Sequence, residues 1–360
     1  MKNARQAKEW RRSARGGAWG ACVRRGFVLP FVAMALAAGA ILAMAFAGES
    51  LQALRAVRAV RIGHDAGRHA DEALSGVLAN WTTDSLYAVA LGERLRRTVS
   101  VAGSPVTVEW QRLQPLLATV RAIASDTVGR RLDVTRRDHF RSVWLAPVAL
   151  PIYAAMTTNA VLRGAEGTLI SGSDVALPGS ACGAARDTAS LPSVMARDVV
   201  AAPLGGWPGA PIHLPTPAAF DSEVRAALQQ LAVRVPEVQW DATPRALPVH
   251  PSWHALRIRG PSVTIAGPTR WQGLIVVHGP LTLQGTVNVT GVLVVDGPLD
   301  ASRARLTVQG AVVTADSSAS GVMLGADSRL FYDRCAVQMA LATAAEPSFS
   351  PFALWHRLSN

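Results

Sequence analysis

From Phe27 to Ala47 the chain carries no charge and is apolar on every side. About 20 such residues span the ~30 Å hydrocarbon core of a bilayer as a helix. A soluble core helix is rarely apolar all round for that length. Phe27, Pro30, Phe31, Leu36, Ile41, Leu42 and Phe46 carry most of the bulk, and the pattern predicts a membrane-spanning helix. Past Gly48 the pattern becomes amphipathic. Arg55, Arg58, Arg61, Asp65, Arg68 and Glu72 recur every three or four residues, with Leu51, Leu54, Val57 and Val60 beside them. This spacing predicts a single helix over 27–80, half in the membrane and half in water. Two helices broken at Gly48 or Gly63 are the alternative.

Farther along, Val106-Thr107-Val108-Glu109-Trp110 and Leu132-Asp133-Val134 alternate, while 113–128 fits helix or strand. A small α+β module over 81–160, packed on the polar helix, is expected. Pro and Gly then cluster, and one short helical pattern interrupts them near Phe220 to Val233. Residues 161–260 read as a connector that wraps a neighbouring core, since a free loop of that length is unusual in a compact domain.

The last third repeats. Gly273-Leu-Ile-Val-Val-His-Gly-Pro-Leu is answered by Gly291-Val-Leu-Val-Val-Asp-Gly-Pro-Leu, and a looser copy starts at Gly310 after a nearly equal interval. Such a unit cannot bury its apolar side alone, so successive copies stack as a β-solenoid over 261–345. Gly273, Gly279, Gly291, Gly297 and Gly310 mark its corners. A meander of hairpins is the alternative. Residues 346–360 form a C-terminal tail. The expected fold class is thus α+β: a long membrane-spanning helix, a small α+β module and a short C-terminal β-solenoid.

Charge changes the picture only near the start. The net charge is +11, but residues 1–26 hold Lys2, Arg5, Lys8, Arg11, Arg12, Arg15, Arg24 and Arg25 against Glu9 alone. That basic leader sits just before the apolar run, where the positive-inside rule holds it in the cytoplasm. The later sequence shows no basic face interleaved with aromatics, so nucleic-acid binding is not expected. If the leader is removed, Cys182 and Cys335 remain, and an even pair in an exported chain suggests a disulfide. Two unpaired thiols are the alternative.

The leader ending in Gly26, the Phe27 that follows it and the apolar-then-amphipathic helix resemble type IV prepilins and the minor pseudopilins of type II secretion. Phe31 stands at the fifth mature position, where that family often carries Glu, and Pro30 precedes it. This departure resembles minor rather than major subunits, and a leader running as far as Gly26 is long for the class. His69-Ala-Asp-Glu-Ala-Leu looks like the segment that follows the membrane helix in PilX-type and GspK-type components. Ala154-Ala-Met-Thr-Thr, Ile170-Ser-Gly-Ser-Asp, Cys182, the Gly-rich repeats and Phe331-Tyr-Asp-Arg-Cys resemble pilin-like envelope proteins with β-solenoid C-termini. The resemblance implies cleavage after Gly26 and N-methylation of Phe27 by a prepilin peptidase. It also implies storage in the inner membrane with a periplasmic or surface head, and assembly with other pilin-like subunits through the N-terminal helix.

Two other leader readings stand beside it. Ala45-Phe46-Ala47 fits a signal-peptidase site before Gly48, and Arg24-Arg25 resembles a twin-arginine signal. Either cut releases a periplasmic β-solenoid protein that binds or cleaves carbohydrate.

Catalytic signatures are sparse. His250 and His254 are four apart, but Pro248 and Pro251 argue against a helix that would aim both at a metal. After Lys8 the chain has no lysine, which excludes a phosphate-loop lysine. Asp296, Asp300, Asp316 and Asp327 are candidates for the paired carboxylates of glycoside hydrolysis, and they also suit coil corners. Asn80-Trp-Thr82 and Asn288-Val-Thr290 match a glycan-acceptor pattern. The expectation is a non-enzymatic protein with no metal and no cofactor.

Overall fold

The computed structural model describes residues 28–80, 89–127, 134–174, 191–201, 212–213, 217–250, 252–316 and 321–349. The chain divides into two compact units, Met1–Arg61 and Ile62–Asn360. Helix α1 (Val28–Ala79) runs 52 residues without a break. Gly48 and Gly63 do not interrupt it, since one Gly costs only about 1 kcal/mol in a helix. Pro30 lies in its first turn, where the missing N–H removes no intrahelical bond.

In the second unit α1 changes character. Ala66, Ala70, Ala73 and Leu74 are buried, at the three-to-four spacing of one helix face. They join a cluster with a four-stranded antiparallel meander: β1 (Arg94–Val101), β2 (Ser104–Gln114), β3 (Leu117–Thr127) and β4 (Val134–Ala146). The inward side of β3 is Ala118, Val120, Ala122 and Ala124, all buried. Alanine on both partners lets helix and sheet approach closely. On the other side of the meander, charges alternate from strand to strand. Arg96 pairs with Glu109, Glu109 faces Arg121 in register, and Arg121 pairs with Asp138. This ladder is how Glu109 is accommodated at 6% exposure.

The module expected over 81–160 is therefore all β among its described residues, and the helix that packs on it is α1. Within the ambiguous stretch 113–128, residues 117–127 are strand because Ala and Val positions alternate with Thr119, Arg121 and Ile123. The segment assigned to a tail contributes a fifth strand, Glu346–Phe349, antiparallel to β4.

The C-terminal region is a β-solenoid of about five turns. Its strands are parallel and fall on three faces. One face stacks Ile275–Val277 on the equivalent residues 293–295 and 312–314. A second stacks 263–266, 281–284, 299–301 and 322–324. The third stacks 269–272, 287–290, 306–309 and 329–331. Gly273, Gly291 and Gly310 fall in register on successive turns, the later turn being the longer by a single residue. A bulge absorbs that extra residue: Thr282 faces Asp300, but Gln284 faces Arg303.

The solenoid is larger than the repeats alone mark. Strands Met156–Thr158, Val161–Gly164 and Leu169–Ser171 pair in parallel with 312–314, 322–324 and 329–331. Further rungs follow at Val194–Ala196, Asp198–Ala201 and Ile212–His213. Much of the described part of the expected connector over 161–260 is thus solenoid, with 156–171 stacked on 312–331 and 194–201 stacked in turn on 156–164. The first face then holds eight strands in the order Ile212–His213, Val194–Ala196, Met156–Thr158, 312–314, 293–295, 275–277, His254–Arg259, Glu237–Gln239.

Helix α2 (Pro217–Arg234) returns the chain from one end of that column to the other. Its 18 residues cover about 27 Å, against roughly 34 Å for eight stacked strands. Pro217 opens it, and Pro236 follows its end. Phe220, Val224, Ala227, Leu228 and Leu231 are buried in the solenoid's cluster. Residues 274–277 and 292–295 are apolar and buried at every position, as strands covered on both faces are. Helix α3 (Arg334–Ala342) is capped by Asp333, whose carboxylate accepts from the Cys335 and Ala336 N–H groups.

Candidate functional site: the exposed apolar helix and the solenoid surface

Among the described residues of the first unit, nothing covers the apolar stretch of α1. Phe31 is 71% exposed, and Leu36, Ile41, Leu42 and Phe46 are similarly bare. One such side chain on a surface is ordinary, but a contiguous array of this size marks an interaction surface. By length and composition the helix can cross a membrane. Ser50 donates from Oγ to the Phe46 carbonyl at 2.7 Å, so its hydroxyl is satisfied inside the helix. Beyond it Leu51, Leu54, Val57 and Val60 remain exposed beside Arg55, Arg58 and Arg61. Gly26 and Phe27, the expected processing pair, lie outside the described residues.

The five corner glycines form two columns. Gly310 stacks on Gly291, Gly291 on Gly273, and Gly273 on His254. Gly297 stacks on Gly279, and Gly279 on Gly260. A Cβ on Gly310 would sit 1.8 Å from the Gly291 carbonyl oxygen. All five have positive φ, from 115° to 153°, a region that favours glycine. The glycines are therefore required twice, by conformation and by the backbone of the preceding coil.

Asp300, Asp296 and Asp327, three of the four candidate carboxylates, have partners of their own. Asp300 accepts from the Ser302 backbone N–H at 2.9 Å and its hydroxyl at 2.6 Å, at the bulge. Asp327 faces Arg305 at 3.4 Å, both exposed. Asp316 is buried. Asp296 lies 3.4 Å from Nδ1 of His278, one rung away in the same column. Among the described residues no group of three or more His, Cys, Asp or Glu side chains could hold a metal ion. The His250 and His254 rings stack at 4.4 Å, 12° from parallel, and both meet Trp271 edge-on. Parallel stacked imidazoles aim their lone pairs side by side rather than at a shared point.

One cluster escapes the sequence reading. Asn159, buried and two rungs from Asp296 in the same column, donates from Nδ2 to Asp221 on α2. Tyr153 donates its hydroxyl to Glu223, also on α2. Burial raises the Asp221 carboxyl above its ordinary value; Arg225 lowers it in part, and Asp296 adds a further rise. The Glu223 hydrogen bond and burial raise the Tyr153 hydroxyl. These contacts fasten α2 to the solenoid. The partners are 62 and 70 residues apart, so no local pattern announces them.

Cys335 is disulfide-bonded. Its expected partner, Cys182, lies outside the described residues.

No protein-family model matches the chain, and no curated protein matches it. Among solved structures, the competence-associated pilin ComZ from Thermus thermophilus aligns over 83% of this chain and 98% of its own, with 10% identity and a TM-score of 0.26. Similarity at that level carries no weight for a shared fold or activity. What the geometry defines is a long apolar helix compatible with membrane anchoring, continuous with a helix face packed on a β-meander, and a solenoid.

Proposed function

We propose that this chain is a minor, pseudopilin-like subunit of an envelope filament, stored in the inner membrane and assembled into or capping the filament. The observation that supports this reading is the two-part character of α1. It is apolar and bare on every side over 30–47, yet from Ala66 to Leu74 it offers an alanine face to an antiparallel sheet. A helix so divided suits storage in lipid, and then packing against like helices when lipid is exchanged for protein.

In this reading a prepilin peptidase cuts between Gly26 and Phe27 and methylates Phe27. The solenoid head lies in the periplasm or at the surface and works by contact rather than by chemistry. Cys182 is the partner of Cys335. Intact mass and N-terminal sequencing of the protein taken from membranes test this. A methylated Phe27 at the N-terminus is the expected result. A mature start at Gly48 removes the membrane helix and replaces the proposal with a secreted carbohydrate-binding or carbohydrate-cleaving solenoid.

A further inference from the structure

The arginines that follow the apolar stretch of α1 stand in a fixed relation to it. Arg55, Arg58 and Arg61 are exposed, and among the described residues none of the three is in an ion pair. Between Val28 and Leu54 the helix carries a single charge, Glu49. That length is about 40 Å at 1.5 Å per residue, and a bilayer with its headgroup layers measures about 40–45 Å. With 30–47 across the hydrocarbon core, 48–54 cross the headgroup layer, and Arg55 stands at its outer edge.

Each arginine also has an aliphatic side chain one turn nearer the apolar stretch, on the same face. Leu51 lies four residues before Arg55, Leu54 before Arg58, and Val57 before Arg61. These three are 57%, 67% and 66% exposed. Helical side chains lean toward the N-terminus, which here is the membrane side. An arginine stem then lies over the aliphatic group behind it and carries its guanidinium back toward the headgroups. The three-residue spacing steps each arginine about 60° round the helix, so the set covers a band of about 120°. One acidic row on a partner helix meets only part of such a band, whereas a headgroup layer surrounds the helix.

We infer that Arg55, Arg58 and Arg61 form a collar that binds the phosphates of anionic phospholipid headgroups in the leaflet where α1 leaves the membrane. The planar guanidinium matches two phosphate oxygens at once. Glu49 lies nearer the core, and three cations outweigh it. The inference rests on the membrane-spanning part of the proposed function and needs no filament.

The test uses the full chain reconstituted in phosphatidylcholine vesicles containing a trace of spin-labelled phosphatidylglycerol or spin-labelled phosphatidylcholine. Electron spin resonance reads the fraction of each lipid immobilised at the protein. The preference for phosphatidylglycerol is expected to fall by about threefold or more in the triple variant Arg55→Gln, Arg58→Gln, Arg61→Gln. The basic leader is identical in the two chains, so the difference between them belongs to the collar. An equal preference, with both chains still in the vesicles after a carbonate wash, overturns the collar and leaves the membrane span standing. Loss of the parent chain in that wash overturns the span and the collar together.

Discussion

Gly291 lies directly over Gly273: a side chain on Gly291 would place its Cβ 2.1 Å from the Gly273 carbonyl oxygen and 3.0 Å from the Cβ of Ala340. The first contact is with backbone that is itself held by the adjacent coil, so no rotamer relieves it. Gly291→Ala should therefore cost roughly 2–4 kcal/mol, through strain at positive φ and through overpacking. Gly39→Ala is the matched control, because a Cβ there meets nothing within 4 Å. Chemical denaturation of the two variants checks this. Equal midpoints would mean that the corner is not close-packed.

The contact between α1 and the sheet depends on small side chains. Ala70 is fully buried among Ala118, Val120 and Ala122. Ala70→Leu should destabilise the second unit by about 1–3 kcal/mol by overpacking. Ala59→Leu, on the exposed part of the same helix, should change stability by less than about 0.5 kcal/mol. Thermal unfolding of the two variants distinguishes them.

Leu36 tests the membrane assignment. A charge at the centre of a bilayer helix costs about 3 kcal/mol on insertion scales. Leu36→Asp should move a measurable share of the chain from the membrane to the soluble fraction, whereas Leu36→Ile should not. An unchanged distribution of Leu36→Asp after carbonate washing would contradict a spanning role for this stretch.

Asp221 predicts a pH dependence. Its carboxyl binds its proton more tightly folded than unfolded, because burial first and Asp296 next disfavour the anion. Its contribution is then present at low pH, and stability falls as pH rises from the unfolded value, near 3.8, through the folded one. Asp221→Asn keeps an acceptor for Asn159 and removes the anion. The variant should gain stability over the parent at pH 7 and match it at pH 3. An equal difference at both pH values would mean that the fold does not favour the protonated form of Asp221.

The long apolar helix is legible in the sequence because it is a one-dimensional property: length, absence of charge and hydrophobicity all sit in consecutive residues. The solenoid repeat is legible for the same reason, since Gly273, Gly291 and Gly310 recur in sequence as they stack in space. The stacking of 156–171 on 312–331 is not. Its strands at 156–158 and 161–164 are three and four residues long, and their partners lie at the far end of the chain, as Thr158 and Thr314 do. Pro and Gly between 171 and 217 suggest a wrap because rungs this short carry little period-two signal. Residues 113–128 are ambiguous because alanine favours helix locally, and only the sheet's buried face turns Ala118, Ala122 and Ala124 into strand positions. Asp221 and Asn159 meet only because α2 crosses the solenoid, which no spacing in the sequence encodes.

The claim that carries most is that the bare half of α1 packs against other subunits once it leaves the lipid. A photo-reactive amino acid placed at Leu36, with cross-linking in intact cells and analysis of sheared surface material, tests it directly. Assembly predicts adducts with other proteins bearing a membrane-length N-terminal apolar helix, recovered in the sheared fraction. Adducts with lipid alone, and none in the sheared fraction, would mean that the helix is a permanent anchor and would contradict the account.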